Sequence, residues 1–164
     1  MEIIICNVGV EGIEEDYSEH EDAVIGILGD VCRMIDELGI AKLLVVFSSW
    51  DSRFEKVDFM YDFTSIASEL EPLSQFLKGR NGEFILHFYE LDRRIIFQFV
   101  KGDLSFKVSD SMSDEVLYRR TLDSYNFYEK IEEMISVFKI ILIRHFPLAY
   151  QIFKEDRYLF SDWA

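Results

Sequence analysis

The sequence has few of the residues and motifs on which cofactor and metal sites depend. Its two cysteines, Cys6 and Cys32, fall in an apolar strand and in a helical pattern, which predicts small core residues rather than a disulfide or a ligand pair. Its three histidines have no metal-ligand spacing to cysteine or to one another. Glycine-rich phosphate loops and the G-x-S-x-G motif are absent. We therefore predict no cofactor, no metal and no catalytic activity.

Positive charge is missing from the first part of the chain, where no Lys or Arg precedes Arg33. The formal net charge is -14, from 31 acidic and 17 basic residues. Nucleic acid and anionic membrane surfaces should repel such a chain, whereas a basic protein should attract it. A simpler interpretation, that acidity keeps an aromatic-rich protein in solution, stays open.

The pattern of a signal peptide and a long apolar run are also missing from this sequence, so neither a leader nor a membrane span is expected. The first ten residues, MEIIICNVGV, have no basic region ahead of their apolar residues and lead directly into acids. The longest apolar run near the C-terminus is interrupted by Lys139 and Arg144. We therefore predict a protein of a reducing cytoplasm that does not associate with membranes.

The residues that are present predict one globular domain over residues 1–164. Hydrophobic residues make up 49% of the chain and aromatic residues 15%, which is too apolar for a disordered protein and enough for a sizeable core. The sequence shows no internal repeat and no linker that would separate two domains.

The most regular stretch is 83–108, which predicts a three-stranded antiparallel meander. Apolar residues alternate with mixed ones in each strand, so that one face should be a core face and the other wet or lightly covered. The expected core-facing residues are Phe84, Leu86, Phe88, Ile95, Phe97, Phe99, Leu104, Phe106 and Val108. The turns are expected at 90–93 and at Gly102-Asp103, a pair with glycine first.

Ahead of the meander, the pattern predicts an N-terminal βαβ unit: a strand over 2–8, a helix from Ser18 to about Leu38 and a strand over 42–49. This order favours a right-handed crossover and a parallel strand pair. Gly26 and Gly29 within the helix predict close packing against a sheet. A turn is expected over 50–54. Residues 57–63 alternate like a strand, with a helix over 55–70 as the competing interpretation, and 65–78 is helical in pattern.

After the meander, residues 109–115 predict a polar loop, with a possible helical turn over 114–119. A long C-terminal helix follows over about 122–146, and its second half is so apolar that it should be covered on two sides. The remaining tail, 148–164, is expected to pack back on the domain. The predicted fold class is therefore α+β, a single domain with a mixed, mainly antiparallel sheet.

Two groups of acidic residues are candidates for binding a basic protein. The first consists of Glu11, Glu14, Glu15, Asp16, Glu19 and Asp22, with Tyr17 as an aromatic anchor. The second is the expected acidic back of the strand at 57–63, formed by Asp58 and Asp62 near Trp50 and Asp51.

In size, acidity, apparent cytoplasmic origin and missing catalytic machinery, the chain resembles the immunity proteins of bacterial polymorphic toxin systems, such as those of contact-dependent growth inhibition. The resemblance implies tight binding to a basic toxin domain, commonly a nuclease, whose active site the protein would block.

Two alternatives belong to other classes of protein. A non-catalytic assembly or scaffold subunit would use the apolar half of the long helix to form a homodimer. An enzyme with an uncommon carboxylate site would need a deep pocket lined by a buried Asp or Glu.

Overall fold

The computed structural model describes residues 1–7, 9–20, 24–44 and 57–163. Within these ranges the protein is an α+β domain with two antiparallel sheets, one of two strands and one of four. The strands are β1 (Glu2–Ile5), β2 (Ala41–Leu44), β3 (Glu83–Phe88), β4 (Arg93–Val100), β5 (Asp103–Asp110) and β6 (Val116–Leu122). The helices are α1 (Val24–Glu37), α2 (Thr64–Ala67), α3 (Leu70–Gly79), α4 (Ser124–His145) and α5 (Pro147–Glu155).

The larger sheet confirms the predicted meander. Strands β3, β4 and β5 pair in sequence order, and Phe97 lies opposite both Phe84 and Phe106. Every predicted core-facing residue is buried except Phe84 and Phe99, which are half-buried and pack against the core. The second turn is shifted by one residue from the prediction, because Val100 pairs with Asp103 and leaves Lys101-Gly102 as the loop. Both loop residues have positive φ, which is the conformation of a type I′ hairpin turn.

A fourth strand, β6, extends the sheet where the sequence predicts a helical turn. Its side chains are exposed or half-buried, since it lies at the edge of the sheet and pairs with β5 alone among the described strands. Tyr118 faces the core and lies 5.7 Å from the ring of Phe106. The prediction for 114–119 is therefore wrong, because an edge strand does not need the apolar alternation that marks an internal one.

The N-terminal strands are antiparallel, so the predicted parallel βαβ pair is wrong. Glu2 lies opposite Leu44, and Ile5 lies opposite Ala41. The amides of Cys6 and Asn7 both donate to the carbonyl of Ile40, at 2.8 and 3.1 Å. The chain leaves α1 near the C-terminal end of β1, and β2 then runs antiparallel to β1. The expected strand residues 45–49 and the turn at 50–54 lie outside the described residues.

Residues 59–63 form a single π-helical turn that leads into α2, so the strand prediction for 57–63 is wrong and the competing helical interpretation is right here. The buried residues Phe59, Phe63, Ile66 and Leu70 follow helical spacing, whereas Tyr61, which the strand pattern would pair with them, is exposed. Pro72 lies in the first turn of α3, where its missing amide hydrogen costs nothing.

The C-terminal part confirms the long helix and the packed tail. Helix α4 ends at His145, two residues before Pro147, and contacts α3, α5 and β1. Phe127 stacks on Phe97 of the sheet, with ring centroids 5.2 Å apart. The tail forms α5 and then buries Phe160 and Trp163. A single core thus runs between the sheet and the helices. In the described part of the chain, no helix is both long and apolar enough to span a membrane.

Candidate partner-binding site

The first predicted group of acids lies in the segment between β1 and α1, residues 11–20, which we call the acidic arm. Its backbone is irregular apart from one 3-10 turn over Ser18–His20. Asp16 initiates this turn, because its carboxylate accepts a hydrogen bond from the amide of Ser18 at 3.0 Å. That bond favours the charged carboxylate and lowers the pKa of Asp16. Asp16 therefore carries its charge while it shapes the arm.

Glu15 fastens the arm to the first turn of α5. Its two carboxylate oxygens accept hydrogen bonds from the amides of Leu148 and Ala149, at 3.0 and 2.9 Å. These amides have no partner within the helix, and the positive end of the helix dipole favours a carboxylate here. Glu15 is half-buried and has a structural role, which sequence reasoning did not separate from the charge of its neighbours.

Tyr17 does not present an exposed aromatic anchor, contrary to the prediction. Its side chain is only 7% exposed, and its hydroxyl donates to Glu15 at 3.0 Å. Burial, together with the charge of Glu15, raises the pKa of this hydroxyl. Its position among acids predicts a contact residue, but the ring of Tyr17 is buried as part of the core beneath the arm.

The remaining described acids of the arm are exposed to solvent: Glu11, Glu14, Asp16 and Glu19. Asp22, the last member of the first predicted group, lies outside the described residues. Near the other end of the arm, His20 Nε2 lies 2.8 Å from a carboxylate oxygen of Asp30 in α1. Arg144 and Glu11 line one small cavity of about 250 Å³, so a cation of the protein itself approaches the start of the arm.

The second predicted group does not present an acidic surface. Asp58 is half-buried and caps the π-helical turn by accepting hydrogen bonds from the amides of Tyr61 and Asp62. Asp62 is only 3% exposed, and its carboxylate accepts from the amide of Asp58 at 3.1 Å. Apolar residues at every second position predict a strand with an acidic, solvated back, but the helical turn directs Asp62 inward. Trp50 and Asp51 lie outside the described residues.

The interior behind that turn contains a thiol and a third carboxylate. Burial raises the pKa of Cys32 to about 12, so this thiol is neutral at physiological pH. Asp36 accepts from the amide of Met60 at 2.8 Å, and burial raises the pKa of its carboxyl. Asp36 thereby joins α1 to the π-helical turn. In the ranges that the structure describes, no group of three or more His, Cys, Asp or Glu residues could hold a metal ion.

A cleft of about 610 Å³ separates the acidic arm from α1 and α5. Its apolar lining comes from Tyr17, Val24, Ile27, Leu148 and Ile152, and its polar lining from Glu15, Asp16, Ser18, His20 and Asp156. Of these residues, the sequence predicts only Glu15, Asp16 and Tyr17 as part of a binding site. The spacing of Leu148, Ile152 and Asp156 along a short amphipathic helix could have indicated the opposite wall.

Comparison of the chain with protein-family models, with curated proteins and with solved structures finds no match.

Proposed function

We propose that the protein is a toxin immunity protein, which neutralises a basic toxin domain by covering that domain's active site. The observation that carries the proposal is the acidic arm, which extends four exposed carboxylates from a segment with no Lys or Arg of its own. A net charge of -14 surrounds the arm with a field of the same sign.

The acidic arm matches the chemistry of a nuclease active site. A nuclease must direct Lys and Arg side chains toward phosphate groups, so a protein that presents carboxylates there imitates the charge of the substrate. Opposite charges raise the rate of encounter, and the energy of a tight complex then comes from buried apolar and aromatic contacts. Ile25, on the exposed side of α1, and Leu148, beside the arm, are apolar side chains that such a contact could cover.

The proposal is tested by capturing the partner from the native host with the purified protein as bait. A variant with Glu11→Gln, Glu14→Gln, Asp16→Asn and Glu19→Gln removes the exposed charge of the arm and keeps Glu15, which the fold needs. A control variant removes four exposed carboxylates elsewhere: Asp103→Asn, Glu115→Gln, Glu129→Gln and Glu133→Gln.

We expect the wild type and the control to retain a basic protein whose toxic domain, once purified, is inhibited at a one-to-one ratio. The arm variant should retain much less of it. A captured partner that is neutral or acidic, or equal capture by the arm variant, would contradict the proposal.

A second candidate function is a homodimeric assembly subunit that uses α4 as its interface. Ile140 and Ile143, on the outer side of α4, are 51% and 54% exposed and lie one turn apart. The rest of that outer side carries Tyr125, Glu129, Glu133 and Ser136, so the apolar part is small. A stable interface usually buries about 800 Å² on each partner, and two isoleucines supply only a fraction of that area.

Sedimentation equilibrium separates the two candidates. A monomer at micromolar concentration is the result expected of the proposed immunity protein. A dimer that Ile140→Glu together with Ile143→Glu converts to a monomer would favour the assembly subunit.

A further inference from the structure

We infer that the cleft between the acidic arm, α1 and α5 is a binding pocket for the side chain of an arginine or lysine of the basic partner. The inference rests on the proposed function and deepens it, because it names the group of the partner that enters this site.

The cleft combines an apolar interior with a charged rim. Ile27 and Tyr17 are buried at its base, and Val24 and Ile152 are half-buried beside them. Asp16 and Asp156 are exposed carboxylates on opposite walls, one on the arm and one directly after α5. An arginine or lysine side chain has the matching structure, because an aliphatic stem leads to a cationic end.

Other occupants fit this lining less well. An anion would meet the carboxylates of Glu15, Asp16 and Asp156. A purely apolar side chain would fill the base but leave the two exposed carboxylates without a counter-charge. The volume, about 610 Å³, falls within the usual range of ligand pockets and exceeds what one side chain needs, so part of the partner's backbone can enter as well.

Glu15 holds one wall of the cleft, the acidic arm, in place against α5. Its hydrogen bonds to the amides of Leu148 and Ala149 tie the arm to α5, so the two walls of the cleft are joined at one end. A wall that is already in place reduces the ordering cost of binding. The carboxylate of Glu15 is occupied by these bonds and by Tyr17, so Asp16 and Asp156 are the groups that would contact the incoming cation.

The test uses N-acetyl-L-arginine amide as the probe and N-acetyl-L-citrulline amide as its neutral isostere. Each is titrated into ¹⁵N-labelled protein at constant ionic strength, and amide chemical shifts are followed. We expect saturable shifts at Tyr17, Ile27 and Ile152, with the arginine probe binding roughly fivefold more tightly than citrulline.

The double variant Asp16→Asn, Asp156→Asn should lower the affinity for the arginine probe to that for citrulline. The variant Glu129→Gln, Glu133→Gln loses the same amount of charge from α4 and should bind the arginine probe with unchanged affinity. Equal affinity for the two probes, no saturable shift at the cleft, or an unchanged affinity in the Asp16, Asp156 variant would overturn the inference. The proposed function has its own readout, inhibition of the captured toxin domain, so a failure of the pocket and a failure of the proposed function give different results.

Discussion

At the scale of single residues, the acids of this protein have different tasks. Glu15 and Asp62 have structural roles. Glu15 caps helix α5, and Asp62 is buried within the π-helical turn. Glu14 and Glu19 have exposed side chains. These assignments depend on burial, which adjacent residues in an irregular segment do not reveal. The sequence therefore indicated where acid is concentrated, but it could not separate structural carboxylates from those available to a partner.

Gly26 in α1 provides a prediction at this scale. A Cβ atom there would lie 2.5 Å from Nδ1 of His20. The sequence predicts that this glycine packs against a sheet, but its close neighbour is the ring of His20. Gly26→Ala should gain about 1 kcal/mol of helix propensity only when His20 is also replaced by Ala. Urea denaturation of the four proteins in this double-mutant cycle measures the coupling.

Gly29→Ala is the matched control, because a Cβ atom added at Gly29 would have no described atom within 4 Å. That substitution should stabilise the protein by about the same amount whether or not His20 is present. If Gly26→Ala gave equal changes in free energy of unfolding in the two backgrounds, the contact with His20 would be refuted.

The two cysteines provide a second prediction. Both are free thiols, but Cys6 is exposed and Cys32 is buried, with a pKa raised to about 12. The sequence predicts both as core residues, which is right for Cys32 and wrong for Cys6. Ellman's reagent at pH 8 should therefore label one thiol rapidly in the native protein, and the second only in denaturant.

Cys6→Ser should abolish the rapid phase of that reaction, whereas Cys32→Ala should leave it intact. Rapid labelling of two thiols in the native wild type would contradict the burial of Cys32.

At the scale of secondary-structure elements, prediction succeeded where one physical pattern was long and unbroken. The meander was readable because alternate residues of β3 to β5 share a buried face. Residues 57–63 alternate just as well, yet 59–63 form a helical turn, in which Phe59 and Phe63 also satisfy helical spacing. Whether β1 and β2 pair parallel or antiparallel depends on the path that the chain takes between them. The local sequence pattern does not determine that path.

The contact between the acidic arm and α5 provides a prediction about protein stability. Glu15→Ala would remove the acceptor of two helix-end amides and of the Tyr17 hydroxyl. Loss of such a cap and of a buried hydrogen bond should lower the free energy of unfolding by about 2–3 kcal/mol. Chemical denaturation followed by tryptophan fluorescence measures the change.

Glu14→Ala is the control for that measurement, because Glu14 carries the same charge as the neighbouring Glu15 but has an exposed side chain. It should change stability by less than about 0.5 kcal/mol. Equal effects of the two substitutions would show that Glu15 does not fasten the arm to α5.

At the scale of the whole molecule, the distribution of charge dominates the functional argument. The acidic arm lies in a chain with a net charge of -14, and next to it is a cleft whose walls carry carboxylates above an apolar base. Overall charge and the position of the arm were readable from the sequence. The cleft was not, because its two walls are more than a hundred residues apart in the chain.

The most direct test of this account is the association rate of the captured toxin domain with the protein, measured by stopped-flow at several salt concentrations. Between about 20 and 500 mM salt, the rate for the wild type should fall at least tenfold, since screening weakens attraction between exposed charges. The variant of Glu11, Glu14, Asp16 and Glu19 should associate more slowly at low salt and with a flatter salt dependence, whereas the control variant should behave nearly as the wild type does. Identical rates and salt slopes for all three proteins would contradict the claim that the acidic arm meets a positively charged partner.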